Sequence, residues 1–259
     1  AERSTGTIAK YMRDIGFFWA FLPAVKELDK EIVIRYKEYL GNQYAVSTAN
    51  SMLAALNSFF VFLGLPEYRV KPFKQQRCIF RDQEKELSKD EYLRLLETAK
   101  NKGNRRLFFI METLCTTGIR ISELQHITVE AVKKGQAWVS CKGKRRNILL
   151  PKRLCYDLKN YCQSNHIVTG SIFITKNGRP MNRSNIWTEM KKLCSSAGVD
   201  ANKVFPHNFR HLFAISFYNL EKDIVKLADL LGHASIQTTR IYVMESSIVD
   251  MRQVERLGL

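Results

Sequence analysis

Residues 206–243 read PHNFRHLFAISFYNLEKDIVKLADLLGHASIQTTRIYV. Pro206 opens a helix, because the first helical turn has no use for the N–H that proline lacks. His207 and Arg210 stand three apart on that helix and so share a face. The amino end of a helix also favours a nearby anion. His233 follows Gly232 at a helix-to-turn junction, and Tyr242 comes nine residues later between Ile241 and Val243. Taken singly, each residue has a plain structural reading. H-x-x-R spacings arise by chance, a histidine after glycine caps or packs, and a tyrosine with β-branched neighbours belongs in a core.

Two further polar positions lie upstream. Arg120 follows the Thr117-Gly118 turn in TGIRISEL, at a helix start. Its planar guanidinium offers a phosphate two parallel donors, which lysine cannot copy; the alternative is a surface arginine paired with Glu123. Lys142 sits beside Gly143 at the tip of a hairpin expected from AWVSCKGKRRNILLP. Glycine lets such a turn approach a partner closely, and a lysine there can protonate a departing oxygen, a contribution of ~10² to 10⁴ in rate. Lys144, two residues on, competes for that role. Residues 131–156 hold eight Lys/Arg and no acid, a footprint suited to DNA, which carries one negative charge per ~1.7 Å of duplex axis. Lys144, Arg145 and Arg146 are therefore candidates for backbone contact.

In order, T-G-x-R-x-S-E-L, K-G on a hairpin, H-x-x-R-H and L-L-G-H-x-S-x-x-T-T-x-x-Y resemble the signature of the tyrosine recombinase (phage integrase) family over residues 86–245. The helical stretch 7–66 resembles that family's core-binding domain. The resemblance implies a mainly α fold with a small antiparallel β-sheet: an α+β catalytic domain behind an N-terminal helical core-binding domain, the two forming a DNA clamp. It also implies the roles. Tyr242 attacks the scissile phosphate, forming a 3′-phosphotyrosyl link and releasing a 5′-hydroxyl. Arg120 and Arg210 stabilise charge on the non-bridging oxygens, the kind of donor whose loss costs ~10² to 10³ in rate. His207 is a general base or acid beside the tyrosine, His233 hydrogen-bonds a non-bridging oxygen, and Lys142 protonates the leaving group. Bond energy kept in the phosphotyrosine removes the need for ATP, so no cofactor is expected. The implied partners are double-stranded DNA at specific sites and three further copies of the chain, a tetramer on DNA assembled from monomers or weak oligomers. An accessory DNA-bending or directionality protein is a further partner. Two rival readings use related residues: a type IB topoisomerase, and a non-catalytic DNA-binding protein on the same scaffold.

Composition agrees with a polyanionic partner. The 259 residues contain 41 Lys+Arg against 25 Asp+Glu, a formal charge of +16, and 45% are hydrophobic, enough for two cores. The apolar stretches are too short for a membrane span, and the expected location is the cytoplasm, associated with the nucleoid. Six scattered cysteines lack metal-ligand spacing and read as free thiols. No phosphate-binding glycine motif and no acidic metal cluster stands out. The expected organisation is a helical domain over 1–68, a basic linker over 69–86, a catalytic domain over 87–245, and a C-terminal helix over 246–259 that docks in cis or on a neighbour. Linker residues Arg69, Lys71, Lys74, Arg77 and Arg81 are further backbone candidates. In the first domain, Asp29 is expected to cap a helix that ends before Gly41, and Ser47 to cap the next. ITVEAVKKG with the following hairpin is expected to form a short antiparallel meander. An additional arm-binding domain is not evident; the chain is either a two-domain member or shortened ahead of residue 1.

Overall fold

The computed structural model describes residues 4–23, 27–74, 85–141 and 144–243. The chain divides into two compact units, residues 1–78 and 79–259. Arg77, Arg81, Lys142 and the stretch 246–259 lie outside the described residues, as do the side chains of Lys144 and Arg145.

The first unit contains α1 (Thr5–Phe21), α2 (Lys30–Gln43) and α3 (Val46–Phe62). Ser4 caps α1 and Asp29 caps α2, each side chain accepting a backbone N–H. Phe18, Val33, Tyr36, Leu40, Leu53 and Phe60 form the core, with Phe18 edge-on to Tyr36 at 5.0 Å. Two helix boundaries differ from expectation. α2 runs through Gly41, where a Cβ would meet the Phe73 ring at 2.8 Å, so this glycine admits a neighbour and does not stop the helix. α3 starts at Val46 behind Ala45, without a side-chain cap.

Residues 69–74, expected as the start of a linker, are instead tied to α3. Asn57 Nδ2 donates to the Val70 carbonyl at 2.8 Å while Val70 N–H donates to Asn57 Oδ1 at 3.0 Å. Asn50 does the same for Phe73, at 3.0 and 2.8 Å. The two asparagines lie seven residues, about two helical turns, apart. Val70 is buried by this arrangement, whereas Arg69, Lys71 and Lys74 stay exposed.

The second unit begins with α4 (Lys89–Asn101), opened by a reciprocal Ser88–Glu91 capping box. α5 (Arg105–Thr117) follows, capped by Asn104 and ended by Gly118 at φ 61°. A 3₁₀ turn over Ile121–His126 leads to α6 (Val129–Lys134). β1 (Gln136–Cys141) and β2 (Lys144–Leu149) pair antiparallel, with Val139 opposite Arg146. Then come α7 (Lys152–Ser164), α8 (Arg183–Ala197), α9 (Pro206–Glu221), α10 (Ile224–Leu231) and α11 (Ile236–Val243). The expected meander is thus a two-stranded hairpin preceded by a helix. The signals for α6 are a Thr128 cap donated to by Ala131 N–H, Glu130 in the first turn, lysines in the last and Gly135 beyond. The mainly helical fold with one small antiparallel sheet is as expected.

Ile110, Met111 and Leu114 of α5 share the main core with Val139, Ile148, Met190 and Phe209. A smaller cluster joins Ala214 and Leu227 to Leu231 and Tyr242. Cys115, Cys155, Cys162 and Cys194 are free thiols, and burial pushes Cys115 up to about 12. Among the described residues no helix is long and apolar enough to cross a membrane.

The asparagine ties to residues 70 and 73 are testable. Asn57→Ala leaves a backbone donor and acceptor of Val70 unmatched, at about 1–3 kcal/mol for a buried pair partner lost. Chemical denaturation of the variant should show that loss, whereas a freely solvated linker would show none.

Candidate active site

Arg210 is the buried centre of the site. It points from the first turns of α9 into the protein with only 1% of its surface exposed. Nη1 donates to the Gly118 carbonyl at 2.5 Å, and Nη2 donates to the Leu231 carbonyl at 2.7 Å and to His233 Nε2 at 2.8 Å. Both carbonyls stand at helix ends closed by glycines with positive φ, Gly118 and Gly232. A side chain at Gly118 would also overlap the Phe213 ring. Among the described residues Arg210 has no carboxylate partner. Burial, and then the nearby Arg120, lower its pKa to about 10, so the site is short of negative charge.

The contact with Arg210 fixes the tautomer of His233. Arginine only donates, so His233 Nε2 accepts and the ring proton sits on Nδ1, which donates to Thr239 Oγ1 at 2.8 Å. Burial, followed by Arg210 and Arg120, lowers the His233 pKa to about 4. Thr239, fully buried, is three residues before Tyr242 on α11, so the same histidine anchors the helix that carries the tyrosine. Tyr242 is 6% exposed, and its hydroxyl lies 2.8 Å from His207 Nε2. Its ring has His207, His211 and His233 around it at centroid distances of 5.5, 5.2 and 5.3 Å. His207 is held below the ordinary histidine value by burial and then by Arg210 and Arg120. It is therefore neutral at neutral pH.

Arg120 stands at the start of the 3₁₀ turn. Its Nη1 donates to Glu123 Oε1 at 3.1 Å, and its backbone N–H donates to Glu123 Oε2 at 2.9 Å. The ion pair with Glu123 therefore exists, but the side chain remains 36% exposed and lines a cleft of about 560 Å³ with His207 and Arg210. Burial raises the Glu123 carboxyl, but the Arg120 N–H and the Arg146 and Arg120 guanidiniums outweigh it and hold the group below its usual range.

The structure thus gathers Arg120, His207, Arg210, His233 and Tyr242 into one site. Of the basic-patch candidates with described side chains, Arg69, Lys71 and Lys74 are exposed in the first unit. Arg146 is turned inward, onto Glu123 and the Leu230 carbonyl. Sequence reasoning gave no role to Thr239 or His211, although both fall inside the quoted motifs, and it gave Glu123 only as the partner of a surface arginine. Arg183, Ser184 and Trp187 of α8 form another wall of the cleft, 20 residues or more before His207, the nearest motif residue in sequence.

A two-unit chain with a buried arginine, a histidine-bonded tyrosine and a basic cleft finds its class by comparison. The phage integrase family model matches residues 85–247, and the chain belongs to this family of tyrosine-type site-specific DNA recombinases. It is similar to the tyrosine recombinase XerA of Pyrococcus furiosus, 30% identical over 83% of this chain and 76% of that protein. The fold is that of the Tn1549 transposon integrase in complex with transposon right-end DNA: TM-score 0.75 at 16% identity, covering 100% of this chain and 96% of that one. It is also that of lambda integrase in a tetramer bound to a Holliday junction: TM-score 0.72 at 17% identity, covering 93% and 72%.

The His233 geometry is open to measurement. Its ring should keep the Nδ1-protonated neutral form well into acid, titrating near pH 4 in ¹⁵N-detected NMR. Titration at or above the ordinary value of 6.5 would contradict the Arg210 contact.

Proposed function

We propose that this recombinase breaks DNA with Tyr242. The observation that carries the reading is the 2.8 Å contact of the Tyr242 hydroxyl with His207 Nε2, beside the buried Arg210. Neutral His207 accepts the tyrosine proton as the oxygen attacks the scissile phosphate. A 3′-phosphotyrosyl bond forms as the bond to the 5′-oxygen breaks. Arg210 and Arg120 meet the charge developing on the non-bridging oxygens, with water excluded on the Arg210 side, where such donors act most strongly. His233 works through Arg210: with Nε2 occupied as an acceptor, it fixes the guanidinium plane, a different task from direct phosphate contact. Lys142, four residues before Arg146 in sequence, delivers a proton to the leaving oxygen by family resemblance. Attack by the 5′-hydroxyl of another strand reverses the chemistry without ATP.

In this reading four protomers exchange strands between two duplexes through a four-way junction, in the cytoplasm where the DNA lies. The exposed Arg69, Lys71 and Lys74 face the phosphate backbone. Arg183, Ser184 and Trp187 border the DNA near the cleavage point. Tyr242 lies in its own chain's site, so cleavage is in cis.

The test is a covalent trap on nicked duplexes carrying candidate sites, resolved on a denaturing gel. Wild-type protein should give a shifted band, and Tyr242→Phe should give none while binding DNA normally. Relaxation of supercoiled plasmids without a cognate site would favour the topoisomerase reading, and good binding without any adduct would favour the scaffold reading. Mixing Tyr242→Phe with Arg210→Ala protein should restore no cleavage of a one-site substrate; restoration would mean cleavage in trans.

The pH dependence follows from His207. A base must be deprotonated, and its pKa is depressed below 6.5, so acid should inhibit only below that value. Single-turnover cleavage measured across pH should fall in acid with a midpoint below 6.5. An acid limb centred above 6.5 would remove His207 from the role of base.

A further inference from the structure

We infer that Arg146 is a positioning residue that holds Arg120 and the His233 turn in their working geometry, and that it makes no contact with the DNA backbone. The inference rests on the recombinase reading above. Arg146 lies on β2 in the most basic run of the chain, where a phosphate contact is the natural expectation. Yet its side chain is only 13% exposed. Nη2 pairs with Glu123, and Nη1 donates to the Leu230 carbonyl at 2.7 Å. Its Nε is buried, with no partner among the described residues. Its aliphatic stem lies against Gly232, so closely that a Cβ there would overlap Arg146 Cδ.

One guanidinium therefore joins three pieces of chain that are far apart in sequence. The first is β2, which carries Arg146 itself. The second is the 3₁₀ turn, where Glu123 uses both carboxylate oxygens on Arg120. The third is the end of α10, two residues ahead of His233. Loss of Arg146 frees Glu123 to draw Arg120 away from the cleft and releases the turn that aims His233 at Arg210. Lysine is no substitute, since a single ammonium lacks the fork that reaches two acceptors on separate elements. Gly232 then has a second reason to be glycine beyond its φ of 63°: it makes room for this arginine.

The test pairs single-turnover cleavage with the salt dependence of DNA binding, for Arg146→Met and for Arg146→Lys, which keeps the charge and guards against a folding defect. Cleavage at saturating DNA should fall by about 10² in either variant, the scale of a roughly 1 Å misplacement. The slope of log affinity against log salt should stay at the wild-type value. A slope reduced by about 0.9 in Arg146→Met, the mark of one lost phosphate contact, would overturn the inference, as would unchanged cleavage in both variants. Combining Arg146→Met with Glu123→Gln should cost no more than the worse single change, because the two act through one contact; additive losses would also overturn it. If wild-type protein forms no Tyr242-dependent adduct, the recombinase reading fails. The salt slope still decides between an inward brace and a phosphate contact.

Discussion

A buried guanidinium without a carboxylate partner among the described residues is the constraint on which the site depends. Placing Arg210 at 1% exposure without a carboxylate is costly, because a charge removed from water must find compensation. Among the described residues its partners include two carbonyls at glycine-closed helix ends and the lone pair of a neutral histidine. That is enough to hold the group in place and too little to cancel its charge. An anion entering the cleft completes the pairing. A phosphodiester meets this need most fully as it gains charge toward a pentavalent transition state, so the unmet charge is aimed at the reaction more than at ground-state binding.

The same arginine organises Tyr242, the proposed nucleophile. α9 presents His207 and Arg210 three residues apart, and α11 presents Thr239 and Tyr242 at the same spacing. His207 meets Tyr242 directly, whereas Arg210 reaches Thr239 through His233. These two connections tie the helices together with matched periodicity. The tyrosine hydroxyl is thereby placed by backbone geometry, not by a flexible loop. A protonated His233 would break the second connection, because Nε2 would then carry a proton pointed at the Arg210 donor. Its depressed pKa and its structural task have the same cause.

Much of this was legible in the sequence because the site residues sit at helix-defining positions. Pro206, Gly118 and Gly232 mark ends of helices, and His207 and Arg210 follow from helical spacing. The partners were harder. Thr239, and Glu123 in its pairing with Arg146, act only once distant elements meet, and single-sequence periodicity carries no such information. The first-domain strap escaped notice because asparagines on α3 replace the backbone partners an extended segment ordinarily finds in a sheet. α6 was mistaken for a strand, although Thr128, Glu130 and Gly135 spell a short capped helix. The inward position of the Arg146 side chain was not legible because a run of like charges hides alternation. Counting by twos from the buried Ile148 puts Arg146 on the inner face, opposite the buried Val139.

The central claim is that Tyr242, held by His207 beside Arg210, is the atom donor to DNA. The most direct measurement is mass spectrometry of the nuclease-trimmed, protease-digested covalent complex. The account requires a nucleotide joined through its 3′-phosphate to the peptide containing Tyr242. An adduct on any other residue, or a link through a 5′-phosphate, would contradict it.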